Sequence, residues 1–285
     1  MKTPLAWLQL AHEKTRLAVA LAGIGFADML MFVQLGFQAA LFDSNLRLPS
    51  NLDADIVLLN SQTKAILSIQ SFSSRRLYQS LSVPGVQSVS PLYLSFALWK
   101  NPINRQTRQL MVIGMNPEDQ VLNLPGVAEN INKIKLPDTY LFDDQSRAEF
   151  GPVAQLINEG KNVTTEVNER KITVEGLFTL GASFSADGNV ITSDINFIRL
   201  FKRNKGLIDL GLVKVEPGTD VNQIVSQLKQ KFPEDIRVLT KEEFKDFEKQ
   251  YWQNSTSIGF VFSLGTAIGF VVGIVIVYQI LYTGV

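Results

Sequence analysis

The sequence predicts a membrane protein in which two transmembrane α-helices flank an α+β extracytoplasmic domain of two subdomains. Three observations predict it. Apolar residues gather in two stretches, 17–42 and 258–282. Residues 43–257 between them alternate short strand and helix patterns with Pro, Gly and Asn turns. Hydrophobic residues make up 46% of the 285-residue chain and charged residues 19%, which is lean in charge for a soluble protein. Basic and acidic residues balance at 27 each, so no global field favours nucleic acid. There is no cysteine, which excludes disulfides, thiolate metal sites and cysteine nucleophiles.

Residues 1–16 read as a cytoplasmic amphipathic helix lying at the membrane interface. Leu5, Leu8 and His12 fall near helical spacing, Trp7 widens the apolar side, and Lys14 and Arg16 are polar. A straight extension of the first span is the alternative. Stretch 17–42 then exceeds the roughly 20 helical residues needed to cross a ~30 Å hydrocarbon core. It carries Asp28, which costs about 2.5–3.5 kcal/mol at a helix centre. Its twelve Leu, Ile, Val and Phe residues each return roughly 0.3–0.6 kcal/mol, a sum of roughly 4–7, so insertion wins. A cleaved signal peptide would have a shorter apolar region and a small-residue cleavage site, and no clear A-x-A motif is present. Lys2, Lys14 and Arg16 precede this span, which places the N-terminus in the cytoplasm and the domain outside.

Within the domain, 54–59 reads as a strand and 74–81 as a short helix with Ser74 as N-cap. Pro84-Gly85 turns the chain into strand 86–99. Asn101-Pro102 turns it again into strand 109–114. Further strands are expected at 139–142, 171–178 and 189–192, and a helix at 194–203. Strand 208–215 ends at Pro217-Gly218. Thr219 or Asp220 caps a helix over 221–232, whose Val221, Ile224, Val225, Leu228 and Phe232 form one stripe. After strand 236–239, Thr240 and Glu243 make a capping box. The helix they open is expected to run straight into the second span, 258–282. A strand-rich insertion over about 100–205 is expected as a separate subdomain. Residues 283–285 begin a cytoplasmic loop.

The search for chemistry excludes more than it finds. His12 is the only histidine and lies on the cytoplasmic flank, so the domain holds no serine–histidine triad and no histidine metal site. No P-loop motif is present. Asp143–Asp144 and Glu242–Glu243 read as solvated acids, and Arg75–Arg76 as a solvated helix face. Asn162-Val-Thr164 and Asn254-Ser-Thr256 match the glycosylation sequon, a weak three-residue pattern. No catalytic, cofactor-binding or metal-binding residue is assigned. Two features in the spans carry content. Gly265, Gly269 and Gly273 repeat every four residues, a ridge that lets another helix approach closely, and Gly23 with Ala27 offers a matching patch. Asp28 and Gln34 are polar residues within the first span and should face protein or water.

Several longer segments bear a family resemblance. Ala20-Leu-Ala-Gly-Ile-Gly-Phe-Ala-Asp28, Gln34-Leu-Gly-Phe37 and Ala40-Leu-Phe-Asp-Ser44 resemble the DevC family. So do Phe72-Ser-Ser-Arg-Arg-Leu-Tyr-Gln79, Val89-Ser-Pro-Leu-Tyr93, Trp99-Lys-Asn-Pro102 and Val277-Tyr-Gln-Ile-Leu-Tyr-Thr283. DevC proteins are membrane subunits of cyanobacterial ABC exporters, similar to the MacB, LolC/LolE and FtsX group. The resemblance runs over essentially the whole chain. It implies a non-catalytic permease, a large periplasmic domain between the first two spans, and a homodimer in the lipid bilayer of the inner membrane. It implies a separate cytoplasmic ABC ATPase that holds ATP and Mg, a periplasmic membrane-fusion adaptor, and indirectly an outer-membrane channel, together a tripartite efflux system. Glycolipid is the cargo associated with this branch. The family pattern continues past Val285 with two further spans and commonly has Asp where Gly284 stands, so the chain is expected to be truncated. A two-span sensor or scaffold and an FtsX-like regulator of cell-wall hydrolases are the competing readings.

Overall fold

The computed structural model describes residues 14–232 and 234–282. The expected interfacial helix lies for the most part outside the described residues, as do His12 and 283–285. Two units are described separately: a pair of apolar helices, and the domain 43–251.

The first apolar helix, α1 (Lys14–Ser50), extends past the expected end of the span at residue 42. Pro49 lies in its last turn, and the ladder closes just beyond it with Asn51 N–H donating to the Arg47 carbonyl at 3.2 Å. The second, α8 (Ser257–Tyr282), holds no charged residue. Both are long and apolar enough to cross a membrane. Phe26, Phe32, Phe37, Phe260, Phe270 and Val271 are exposed on them, an arrangement unusual in soluble proteins, which rarely leave large contiguous apolar surfaces in water.

The domain is built on a nine-stranded mixed sheet. Its strands are β1 (Ile56–Asn60), β3 (Val86–Lys100), β4 (Thr107–Met115), β5 (Thr139–Asp143), β6 (Val163–Val167), β7 (Arg170–Phe178), β8 (Asn189–Ser193), β10 (Leu210–Val215) and β11 (Ile236–Thr240), in the order β11-β1-β10-β3-β4-β8-β5-β7-β6. A small second sheet pairs β2 (Phe72–Ser73) with β9 (Leu207–Ile208). The long β3 explains the architecture. Its first half pairs with β10 (Leu92↔Leu210 to Val86↔Val215), and its second half with β4 (Leu92↔Met115 to Lys100↔Thr107). Its tip also pairs with β6 (Trp99↔Val167), so six strands close into a ring. In place of a separate strand-rich subdomain at about 100–205, the insertion shares β3 with the rest of the sheet. Strand hydrogen bonds therefore continue across the expected boundary. A ring without open edges also leaves fewer unpaired backbone groups.

Side-chain alternation sets the two cores. Ile56 and Leu58 of β1 enter one apolar cluster, and Val57 and Leu59 enter the other. The period of two in a strand buried on both faces requires this. The first cluster holds Trp99, Phe142, Phe150 and Phe197. The Trp99 indole donates to the Phe150 carbonyl at 3.1 Å, so its one polar atom is paired. The first cluster is covered in part by α4 (Val153–Asn158), α5 (Asp194–Phe201) and α6 (Val221–Lys231), which supply Val153, Phe197 and Leu228. The second cluster takes Leu48 and Leu52 from the end of α1 and Phe244 from α7 (Lys241–Asn254).

Several local expectations change. The short helix α2 (Ser74–Gln79) has Ser73 at its N-cap position, not Ser74, and without a side-chain bond. Asp220, not Thr219, caps α6 by accepting from Asn222 N–H at 2.9 Å. Strand 208–215 is interrupted at Asp209, which separates β9 from β10. The capping box closes both ways: Thr240 N–H donates to Glu243, and Glu243 N–H to Thr240 Oγ1 at 3.1 Å. The expected continuous helix from Lys241 through the second span does not form. Helix α7 ends at Asn254, and α8 begins at Ser257. Thr256 Oγ1 makes the joint, donating to the Trp252 carbonyl at 2.7 Å and accepting from Gly259 N–H at 3.4 Å. A side chain at Gly259 would run into the Gln253 carbonyl, so the bend needs glycine there.

Candidate functional site

The apolar helices meet along much of the small-residue ridge. A methyl on Gly269 would press on Met31 Cγ at 2.9 Å, and one on Gly23 would stand 3.3 Å from Ile276 Cγ2. Ala27 is 3% exposed. Gly265 leaves room for the Gln34 side-chain amide, whose Nε2 donates to the Phe262 carbonyl at 3.2 Å. The structure thus brings Gly23, Ala27, Gly265, Gly269 and Gln34 together. It leaves out two of the expected residues. Among the described residues, nothing lies within 4 Å of the position of a side chain on Gly273. Asp28 is exposed on the surface of α1. The helical period accounts for that: one step of about 100° from Ala27 turns Asp28 off the contact face.

In the domain, the paired acids are structural. Asp143 is wholly buried and accepts from Gln145, Leu180 and Gly181 N–H and from Asn189 Nδ2 at 2.7 Å. It fixes the turn at Gly181, whose φ of +95° suits glycine. Asp144 accepts from Thr179 Oγ1, Glu242 pairs with Lys245, and Glu243 serves the capping box. Neither pair shares a proton between facing carboxyls. Arg76 reaches Asp235 at 3.7 Å, while Arg75 is exposed. Of the two sequons, Thr164 is built into β6, and Thr256 is the hinge cap described above.

The arrangements with most chemical content were not legible from motif or spacing. Asp209 is 0% exposed. It is held by Arg203 through two bonds of 2.5 and 2.8 Å and accepts from Leu94 N–H at 2.9 Å and Ser71 Oγ at 3.1 Å. Arg203 also donates to Ser71 Oγ. A buried carboxylate is tolerable only with such full pairing. Asp209 thereby joins the end of α5 to the centre of β3.

Beside this cluster, α2, β3 and α5, with residues that follow β4 and α5, line a half-open pocket of about 570 Å³. Its wall includes Tyr78, Tyr93, Asp119, Asp194, Arg199 and Lys205. Burial, then the charge of Asp194 among others, pushes the Tyr93 phenol up to about 12, so it stays protonated at neutral pH. Burial first, and the nearby Asp119, raise the Asp194 carboxyl above the usual range, against the opposing bond from Ile195 N–H. Ser193 caps α5 by accepting from Asn196 N–H at 3.2 Å, which places Asp194 at the first helical position facing the cavity. A Ser-Asp pair before an apolar helical stripe is a readable helix start. That it borders a cavity is set by β3, about 100 residues earlier in the chain.

No family model matches the chain, and no characterised protein matches it by sequence. Three solved structures share part of the chain trace. The periplasmic region of MacB from Actinobacillus actinomycetemcomitans is 13% identical, with a TM-score of 0.45 over 72% of this chain and 95% of that one. The extracellular domain of the noncanonic ABC-type transporter YknZ from Gram-positive bacteria is 12% identical, with a TM-score of 0.44 over 65% of this chain and 98% of that one. A domain of a permease protein from Porphyromonas gingivalis is 14% identical, with a TM-score of 0.38 over 65% and 88%.

Proposed function

We propose that this chain is the membrane (permease) subunit of an ABC-type exporter. It couples ATP hydrolysis by a separate cytoplasmic ATPase to movement of its extracytoplasmic domain, for export of a lipid or glycolipid with a periplasmic adaptor. ATP and Mg belong to the partner, and this chain is non-catalytic. The chain pairs with a second copy in the inner membrane, N-terminus inside.

One observation carries the reading. Both connections to the apolar helices are seated in the same core, on one face of the sheet: Leu48 and Leu52 from α1, and Phe244 from α7. A displacement of either connection is delivered to the whole sheet, because a close-packed core transmits strain instead of absorbing it. Of the two, α1 is the stiffer transmitter, being one unbroken helix over Lys14–Ser50, whereas the other route is jointed at 255–256. The sequence resemblance along the chain supplies the assignment of that movement to export.

The test is recovery of partners. The full chain, tagged and crosslinked in cells, is purified in mild detergent and its companions identified. An ABC ATPase together with a periplasmic adaptor is the expected result. A cell-wall hydrolase without an adaptor would move the assignment to an FtsX-like regulator. Absence of any ATPase would replace transport by a sensor or scaffold role.

A further inference from the structure

The loop between β7 and β8 presents an aromatic ring beside the end of the first span. Phe184, at its tip, is 53% exposed, and among the described residues of the domain it is the one exposed phenylalanine. The tip is a built turn. Ser183 N–H donates to the Ala186 carbonyl at 2.8 Å, and Ala186 N–H donates to Ser183 Oγ at 3.1 Å. Hydrogen bonds also tie this turn to the last turns of α1. Phe184 N–H donates to Ser44 Oγ at 3.3 Å, Ser185 N–H to Asn45 Oδ1 at 3.2 Å, and Arg47 Nη1 to the Ala182 carbonyl at 3.2 Å. The level of Ser44 follows from helix geometry. Stretch 17–42, at about 1.5 Å per residue, is about 39 Å long, close to the ~40–45 Å of a bilayer with both headgroup regions. Asp43 is the first charged residue after Asp28 and closes the apolar run immediately before Ser44. Ser44 and Asn45 therefore stand at headgroup level, and the loop they hold stands there with them.

We propose that the tip of this loop rests in the interface of the bilayer and inserts the Phe184 ring toward the lipid acyl chains. A single exposed apolar side chain is ordinary on a protein surface in water. The depth fixed by Ser44 and Asn45 makes lipid, in place of water, the neighbour of this one. Backbone pairing supports insertion. The N–H groups of Ser183, Phe184, Ser185 and Ala186 all donate to protein acceptors, so the tip carries no unpaired donor among them into a poorly hydrated layer. Composition supports it as well. Residues 179–186 carry no charge, whereas the turns at 101–106 and 168–169 carry Arg105 and Glu169. The phenylalanine ring has no polar atom to desolvate. A ring without a charge at the tip fits the bilayer surface in general, not one headgroup. Insertion braces the end of α1 against the membrane through Ser44, Asn45 and Arg47. It requires the first span in the bilayer and no partner protein, so it stands apart from the export assignment.

The test uses the full chain in phospholipid nanodiscs. Because the chain has no cysteine, Phe184→Cys and, for comparison, Ile103→Cys can each carry a single nitrobenzoxadiazole dye. The quenchers are a phospholipid bearing a nitroxide near the top of its acyl chain, and iodide in the water. Dye at position 184 is expected to be quenched severalfold more by the lipid nitroxide than dye at position 103, and severalfold less by iodide. A second measurement keeps an aromatic ring at the tip. Photoreactive benzoylphenylalanine in place of Phe184 should form a phospholipid adduct on irradiation, found by mass spectrometry of the loop peptide. The same residue in place of Phe37, which is exposed on α1, calibrates the lipid yield. Thermal unfolding confirms that each variant is folded. Strong iodide quenching at position 184 without lipid quenching would overturn the proposal. Protection from both quenchers, with the photoadduct on a peptide, would overturn it in favour of a protein surface covering the ring. A lipid adduct at position 37 with none at position 184 would also overturn it.

Discussion

Glu248 lies on the buried face of α7, one turn after Phe244 and one turn before Trp252, and is itself 2% exposed. Ile66 N–H donates to its Oε1 at 2.7 Å. Burial raises its carboxyl to about 8, with that single N–H pulling the other way. The unfolded chain ionises this group near the ordinary carboxylate value, whereas the folded chain keeps the proton. Its contribution to stability is therefore complete below about pH 4 and is lost as pH rises toward 8, at up to about 1.4 kcal/mol per pH unit. Glu248→Gln keeps the oxygen facing Ile66 and removes the ionisation. Thermal unfolding of this variant should show little change at about pH 5 and a clear gain over the parent at about pH 8. An equal change at both values would mean that Glu248 is ionised in the fold. The residue was open to detection in the sequence, as an acid interrupting an apolar stripe. Asp209 was not: its partners Arg203, Leu94 and Ser71 come from three separate parts of the chain.

At the scale of elements, the two apolar helices meet at small residues and through the Gln34 side-chain bond to the Phe262 carbonyl, without the hydrophobic drive that acts in water. Gly269 is a direct test of this, because Met31 already fills the space beyond it. Gly269→Leu should separate the helices and lower the melting temperature in detergent, whereas Gly273→Leu, facing open space, should leave it nearly unchanged. Similar effects of both would mean that the ridge packs elsewhere. The four-residue glycine spacing identified the ridge in the sequence. It did not say where contact ends, since that depends on the angle at which two helices cross. The break after α7 was readable in part: Ser255-Thr256 before an apolar run is an N-cap signal. The capping box at Thr240 drew attention to one start and obscured the second.

For the whole molecule, the placement of basic residues before the apolar stretch 17–42 expects the domain outside the cytoplasmic membrane. The cysteine-free chain makes a direct check possible. Ser183, a natural choice for a reporter, sits in a folded loop where its Oγ accepts from Ala186 N–H at 3.1 Å. Ile103, 65% exposed in the β3–β4 hairpin, is the better position. Ile103→Cys should react with a membrane-impermeant thiol reagent in intact cells, and labelling confined to lysed cells would invert the topology. The sequence by itself determined the two apolar helices, the α+β character between them and most strand positions, because apolar length and side-chain period are local properties. Only the tertiary structure decided that the strands form one sheet closing on itself through β3. Only it showed that both connections root in one core, and that Tyr93, Asp119 and Asp194 share a cavity. Those outcomes depend on pairings between residues far apart in the chain, and strand register carries no local mark of its partner.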